Sequence, residues 1–207
     1  MNKIEKPSKI RKICVYCGSG PGTDPAFVQG ARAFGKILAE NGIGLVYGGG
    51  NVGIMGELAK AVTDNGGQTT GIIPEFLLAR EKALRGPHEL IITRDMHERK
   101  RKMFDLADAF VALPGGIGTL EELVEQLTWA QLGHHRKPVL LANINGFWEP
   151  LCALIDHMKA LEFIRGQYNF DLLVADQVDD ILPKLQKAME AVPEEAKQME
   201  PTAAERL

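Results

Sequence analysis

Short runs of apolar residues alternate along the chain with longer segments whose apolar residues recur every three or four positions. The first pattern is typical of buried strands and the second of amphipathic helices. The predicted strands span residues 10–17, 43–47, 69–73, 89–93, 109–113, 138–142 and 172–175. Helical patterns fill the intervals and follow the last strand. This alternation predicts an α/β fold: a Rossmann-like doubly wound parallel sheet with helices on both faces.

Several helix boundaries can also be predicted from the sequence. Asn41-Gly42 and Asn65-Gly66-Gly67 are typical of helix C-termini, where glycine adopts the left-handed conformation. Later helices are predicted at about 95–107, 147–161 and 178–189. Because ligands of parallel sheets bind beyond the carboxyl ends of the strands, the loops that follow the strands should carry the site.

Length and composition favour a single domain. The chain has 207 residues, of which 45% are hydrophobic and 25% charged. We expect one domain over 1–207, with a core at about 10–190 and flexible ends at 1–9 and 193–207. The net charge of -3 argues against nucleic-acid binding. Without an apolar run of roughly 18 residues or an apolar signal core, we expect a cytoplasmic protein with no membrane partner.

The cysteines indicate neither a metal site nor a disulfide. Cys14 and Cys17 form a C-x-x-C pair inside a predicted strand, where residues three apart point to opposite faces. Such a pair cannot share a metal ion or a disulfide, so buried free thiols are expected. Cys152 has no cysteine near it in the sequence.

A glycine-rich stretch, LPGGIGTLEE at residues 113–122, joins a predicted strand to a predicted helix. Glycine lets a ligand approach the backbone closely, and the N-terminus of the next helix favours an anion, most plausibly a phosphate. The alternative is a capping box, with Thr119 as N-cap and Glu122 at the third helical position. A carboxylate beside a phosphate is electrostatically unfavourable. If both occur in one site, Glu122 serves the chemistry.

A second glycine-rich loop, GGGNVG at residues 48–53, matches the dinucleotide pattern G-x-G-x-x-G. That pattern also requires an acidic residue about 20 positions later, at a strand end. Here the next strand ends in Ile73-Pro74, and Glu75 lies beyond the proline. The incomplete match favours a tight turn that lines a mononucleotide site over a dinucleotide site.

The helix at about 95–107 carries two cations where apolar residues are expected. His97-Glu98 begins an H-E-x-x-H pattern, but Arg101 occupies the last position, so no zinc site is predicted. Arg99 and Lys100 lie on the stripe that Met96 begins. The alternative is that both side chains extend past the apolar rim to water. Otherwise they reach an anion at the sheet edge, for which arginine is well suited.

Together these segments resemble the LOG ("Lonely Guy") family of cytokinin riboside 5′-monophosphate phosphoribohydrolases, formerly labelled lysine decarboxylases. The resemblance rests on MHERK at 96–100 and on PGGIGTLEE at 114–122, which meets the family pattern PGGxGTxxE at every fixed position. YCGS at 16–19, YGGG at 47–50 and TWAQLG at 128–133 also resemble the family, over about residues 10 to 190. Ile117 departs from the tyrosine usual in plant members, which can alter the preference for the base.

The resemblance implies hydrolysis of the N-glycosidic bond of a nucleoside 5′-monophosphate, giving a free base and ribose 5-phosphate. It implies Arg99 and Glu122 as the catalytic pair, with no metal and no redox cofactor. It also implies a set of substrate-binding residues: Ser19, Gly49, Glu81, Met96, Lys100, Pro114, Gly115, Gly116, Ile117, Gly118, Thr119, Leu120, Glu121 and Thr128.

A homodimer is expected, because family members are dimers and a monomer is predicted to leave Leu123, Leu127 and Trp129 partly exposed. Two other functions remain open. One is a nucleotide-binding module without turnover, since a related fold carries molybdenum cofactor in some proteins. The other is the old decarboxylase label, which requires pyridoxal phosphate on a lysine, for which the sequence shows no local motif.

Overall fold

A computed structural model of the chain describes residues 10–78, 89–164 and 172–191. These residues contain seven strands: β1 (Lys12–Tyr16), β2 (Gly44–Tyr47), β3 (Thr69–Pro74), β4 (Glu89–Thr93), β5 (Ala109–Ala112), β6 (Val139–Ala142) and β7 (Leu172–Ala175). The same residues contain six α-helices: α1 (Pro25–Glu40), α2 (Gly53–Asp64), α3 (Met96–Leu106), α4 (Ile117–Gln131), α5 (Glu149–Ala160) and α6 (Ile181–Ala191).

The strands form one parallel sheet in the order β4-β3-β2-β1-β5-β6-β7. This order confirms the predicted doubly wound α/β fold. The direction of winding reverses between β1 and β5, and the two loops that follow these strands are joined by a hydrogen bond. The backbone N–H of Gly18 donates to the carbonyl of Pro114 at 3.1 Å. In such sheets the reversal point is the usual place for a ligand.

Helices cover both faces of the sheet, and each face has its own apolar cluster. One cluster takes in Phe34 of α1 and Leu58 of α2, whereas the other takes in Met103 of α3 and Leu123 of α4. Cys17 lies in the first cluster and Cys14 in the second, and both are buried and outside any disulfide. The prediction that they face opposite sides of the sheet is therefore confirmed.

Most predicted boundaries agree with the structure. Helices α1 and α2 end at Asn41 and Asn65, and the glycines that follow have φ of 64° and 76°. Helix α3 begins after Asp95, whose carboxylate accepts a hydrogen bond from the N–H of Glu98. Side-chain capping by aspartate is a standard way to begin a helix, and it sets the direction in which α3 leaves the sheet edge.

The capping-box interpretation of Thr119 and Glu122 is wrong. Helix α4 begins at Ile117, with Gly116 as its N-cap and no side-chain capping bond. Thr119 therefore lies within the first turn, and Glu122 lies more than one turn inside the helix. The extended backbone of Gly116 starts the helix three residues earlier than the sequence suggested. Glu122 has no capping role.

The packing argument for a dimer was also partly wrong. Leu123 and Leu127 are buried within the single chain, against the sheet, and Trp129 is half-buried. A different stripe of α4 is exposed instead, with Ile117 near its start and Val124 near its middle.

Some predictions fall outside the described residues: Glu81 and the tails 1–9 and 193–207. Among the helices that are described, none combines the length and the apolar character that crossing a membrane requires.

Candidate functional site

The loops after β1, β2 and β5 meet at the carboxyl edge of the sheet and pack backbone to backbone. A Cβ atom on Gly18 would lie 3.3 Å from the Cα of Gly115. A Cβ on Gly53 would lie 2.2 Å from the carbonyl oxygen of Ser19, and Gly53 has a φ of +62°. A side chain at either position would displace the neighbouring backbone, so the glycine loops form one continuous backbone floor.

Helix α4 points its N-terminus at this floor. Gly116, Ile117 and Gly118 are exposed, and the first turn contains neither a capping side chain nor an acidic residue. The unpaired N–H groups and the helix dipole therefore face the edge of the sheet without a competing anion from that turn. This arrangement suits a phosphate. Thr119 is buried, and its Oγ1 occupies the space that a side chain on Gly115 would need.

Arg99 reaches the same edge from α3 and is buried, with 6% of its surface exposed. Its Nε donates to the carbonyl of Ile72 at 3.1 Å, and its Nη2 donates to the carbonyl of Gly48 at 3.3 Å. Its Nη1 lies 3.7 Å from the sulfur of Met96. The guanidinium is thus held against the ends of β2 and β3, and the alternative in which Arg99 extends to water is wrong.

Glu122 faces this guanidinium from α4. The Oε1 of Glu122 lies 4.0 Å from the Nη2 of Arg99, and the two side chains are only 12% and 7% exposed. The carboxylate also acts on buried neighbours. Burial raises the pKa of Tyr16 well above its usual value, and the neighbouring Cys14 and Glu122 side chains raise it further. The two residues implied as a catalytic pair therefore meet in a nearly dry part of the sheet edge.

Lys100 is engaged with acidic residues of α4. Its Nζ lies 2.6 Å from Glu121 Oε1 and 2.9 Å from Glu125 Oε1, and the side chain is 12% exposed. Burial acts to lower the pKa of Lys100, but the hydrogen bonds to Glu121 and Glu125 outweigh it and raise the pKa. Glu125 was missed by the sequence reasoning. The available signal was its position one turn after Glu121 on the same helix face.

The other implied substrate-binding residues divide into two groups. Most of them lie in the glycine loops of the floor or on the first turns of α4; Ser19, Gly49 and Leu120 are examples. Thr128 does not: it is exposed and its hydroxyl donates to the Val124 carbonyl at 2.8 Å. At about 1.5 Å per residue, Thr128 lies about 16 Å along α4 from the N-terminal turn. The chain itself does not bring Thr128 to the floor.

These features define a class of protein: a Rossmann-like α/β protein with an open helix N-terminus that suits a phosphate and a buried arginine–glutamate pair beside it. The protein family described as "Possible lysine decarboxylase" matches residues 55–185. The cytokinin riboside 5′-monophosphate phosphoribohydrolase LOG of Oryza sativa subsp. japonica is 45% identical over 190 residues, covering 92% of this chain and 77% of the relative. The phosphoribohydrolase LOG7 of Arabidopsis thaliana is 43% identical over 183 residues, covering 88% and 84%. The chain belongs to the LOG family.

Solved structures support the fold. The Moco carrier protein from Chlamydomonas reinhardtii aligns with a TM-score of 0.67 and 22% identity, over 89% of this chain and all of that one. At this identity the likeness establishes the architecture alone.

The decarboxylase description does not fit the site. A Schiff base with pyridoxal phosphate requires a neutral lysine amine. Lys100, the site lysine that the structure describes, is instead held as an ammonium by two carboxylates. The described residues therefore give pyridoxal phosphate no suitable anchor at this position.

Proposed function

We propose that this protein hydrolyses the N-glycosidic bond of a purine nucleoside 5′-monophosphate, either AMP or a cytokinin riboside 5′-monophosphate. The products are the free base and ribose 5-phosphate. The observation that carries this proposal is the buried Arg99–Glu122 pair beside the open N-terminus of α4. The names of the rice and Arabidopsis relatives support the same reaction.

In the proposed mechanism the 5′-phosphate binds the N–H groups at the start of α4. This places the sugar toward Glu122, which lies further along the same helix. Cleavage moves the bonding electron pair from the anomeric carbon to the base nitrogen, and positive charge builds on the sugar ring. The Glu122 carboxylate stabilises that charge and orients a water molecule. The water oxygen bonds to the anomeric carbon, and a proton from the water ends on the base.

Arg99 contributes position as well as charge. Two of its N–H groups are committed to backbone carbonyls, so the guanidinium is fixed before substrate arrives. It offsets part of the cost of burying Glu122 and presents its remaining donors to the ribose or the phosphate. No step in this mechanism requires a metal or a redox cofactor.

The remaining substrate-binding residues implied by the family resemblance are proposed to line the site around this pair. Lys100 is proposed to contact the substrate, and in that case its ammonium shares the space between Glu121, Glu125 and the incoming phosphate. Ile117 is 82% exposed at the start of α4, beside the proposed phosphate position, so its side chain is free to contact a bound substrate. It is therefore proposed to influence the preference for the base.

We propose that the protein is a cytoplasmic homodimer of single-domain chains, with no nucleic-acid partner. An exposed apolar stripe supports the dimer: Ile117 and Val124 of α4 and Leu132 at its C-cap are 82%, 43% and 74% exposed. Leu154 and Met158 of α5 are exposed on the same side of the sheet. None of Cys14, Cys17 and Cys152 forms a disulfide, which favours a reducing compartment. Light scattering that shows only the chain mass of 22.7 kDa would contradict the dimer.

The test of the reaction is incubation of the purified protein with AMP and with a prenylated AMP. Chromatography should detect the free base, and a coupled assay should detect ribose 5-phosphate in equal amount. Arg99→Ala should abolish release. Binding of AMP without any release of adenine would favour the alternative, a nucleotide-binding module without turnover.

A further inference from the structure

Gly48 shares its space with the guanidinium of Arg99. The residue follows β2 directly and is buried, and its carbonyl accepts a hydrogen bond from Arg99 Nη2 at 3.3 Å. A Cβ atom built on Gly48 would lie only 2.2 Å from that same Nη2. Non-bonded heavy atoms pack at about 3.5 to 4.0 Å, so the guanidinium occupies the volume that any side chain at position 48 would need.

The backbone of Gly48 does not itself demand glycine. Its φ lies outside the left-handed region, in contrast to the +62° of Gly53. After Arg99 Nη2, the nearest atoms to the built Cβ belong to the flexible side chain of Met55, at 3.2 and 3.3 Å. A methyl group at position 48 is therefore excluded by Arg99 and not by backbone strain.

We propose that Gly48 is a positioning residue for Arg99, an inference that rests on the proposed hydrolase function. Its carbonyl holds one end of the guanidinium, and its missing side chain lets that end lie against β2. The Ile72 carbonyl holds the Nε end. Together these contacts set the 4.0 Å separation between Arg99 Nη2 and Glu122 Oε1. A side chain at position 48 pushes the guanidinium away from this place.

The kinetic test is Gly48→Ala, assayed for adenine release from AMP. Turnover should fall by roughly 100-fold, because misplacing a catalytic group by about 1 Å costs on that order. The KM for AMP should rise by much less than turnover falls, because the start of α4 still binds the phosphate when Arg99 is displaced. The matched control is Gly44→Ala in β2. A Cβ atom on Gly44 would lie 3.2 Å from the Cγ of Lys12, a flexible side chain, and 3.7 Å from the nearest backbone atom, the carbonyl oxygen of Arg11. The control should retain turnover within about twofold.

A double-mutant cycle, measured by melting temperature, tests the contact between positions 48 and 99 without any substrate. Gly48→Ala should lower the melting temperature by about 5 °C in the parent protein, and by less than about 2 °C in an Arg99→Ala background. The reason is that Arg99→Ala removes the atom with which the new methyl group collides. If Gly48→Ala alone does not fold, recovery of folded protein in the double variant shows the same coupling.

Equal losses in both backgrounds, or failure of both variants to fold, would overturn the proposal. Parent-like turnover in Gly48→Ala would overturn it as well. Failure of the proposed function has a different signature: the parent releases no adenine, while the double-mutant cycle still shows coupling between positions 48 and 99.

Discussion

Replacing Glu122 with glutamine removes one charge from the buried pair and leaves its shape in place. Two unit charges 4.0 Å apart interact by about 4 kcal/mol at an effective dielectric constant of about 20. The variant loses this attraction, but it also loses the cost of burying the Glu122 carboxylate, and Arg99 keeps its bonds to the Ile72 and Gly48 carbonyls. The net loss of stability is therefore smaller than the attraction itself. We expect a loss of stability of about 2 kcal/mol, or about 4 to 8 °C in melting temperature.

The effect on catalysis should be much larger than the effect on folding. Glutamine neither stabilises a cationic sugar nor takes a proton from water, so turnover should fall roughly 100-fold or more. AMP binding should stay within about threefold, because the α4 N-terminus is unchanged. The assay is adenine release by chromatography, beside calorimetry with AMP and a melting curve.

The matched control is Glu57→Gln, which makes the same change in an exposed arginine–glutamate pair. Arg32 Nε and Glu57 Oε2 are 2.7 Å apart, but their side chains are 58% and 34% exposed. This variant should keep parent-like turnover and lose less than about 1 kcal/mol. A folded Glu122→Gln protein with near-normal adenine release would refute the reasoning and leave the proposed mechanism without its carboxylate.

Four further predictions concern other parts of the molecule. Lys100→Ala should raise the KM for AMP by about tenfold at nearly constant turnover, and an unchanged KM with lower turnover would contradict the proposed substrate contact. Val124→Asp should convert the proposed dimer into monomers, as measured by light scattering, because it places a charge in the exposed apolar stripe of α4. Tyr47→Phe should leave stability unchanged or raise it by up to about 1 kcal/mol in urea unfolding, because the buried hydroxyl has no partner among the described residues. Burial lowers the pKa of His135 to about 4, so the protein should lose about 3 kcal/mol of stability as pH falls from about 6.5 to about 4.

The sign of the His135 effect follows from burial, which disfavours the charged ring, and the two hydrogen bonds of the ring fit its neutral form. Nε2 bonds to the Gln126 carbonyl at 3.0 Å and therefore carries the hydrogen, whereas Nδ1 accepts from the N–H of Lys137 at 3.1 Å. The neutral ring fits both partners, and a second proton does not. The unfolded chain therefore takes up the proton first as pH falls. His135→Gln should flatten the pH dependence of unfolding relative to the parent, and an unchanged profile would contradict this assignment.

Tyr16→Phe is the matched control for the Tyr47→Phe prediction. Tyr16 is also buried, but its hydroxyl is not among the buried polar groups that lack a partner, whereas that of Tyr47 is. Tyr16→Phe should therefore destabilise the protein where Tyr47→Phe does not. Equal effects of the two variants would show that the hydroxyl bond does not decide the outcome.

Strand positions were predictable because each strand is a short apolar run bounded by polar, proline or glycine residues. The predictions at 89–93 and 172–175 agree with β4 and β7 in both bounds. The start of α4 could not be predicted correctly from the sequence, because Thr119 and Glu122 have the spacing of a capping box. That spacing is local, whereas the true start at Ile117 depends on how the Gly115-Gly116 backbone packs against the loop after β1.

The sequence predicted those site residues whose burial follows from their position on one face of a helix. A cation three residues after Met96 indicated correctly that Arg99 is buried. The partners of Lys100 lie on another helix, and no local spacing connects residues so far apart. Leu123 and Leu127 illustrate the same difficulty. Their periodicity shows that they are covered, but it does not distinguish the chain's own sheet from a second subunit.

The backbone packing of the glycine loops limits the routes by which this site can change its substrate. Gly18, Gly53 and Gly115 each approach the main chain of another loop too closely for an added side chain to fit without displacement. An insertion or a bulky substitution in one loop therefore displaces the loop beside it, and with it the cradle for the phosphate. If the proposed function holds, we expect new base preferences to arise from exposed side chains beside this floor, such as Ser19 and Ile117. Libraries aimed at a different base belong at those rim positions, where variation leaves the phosphate cradle intact.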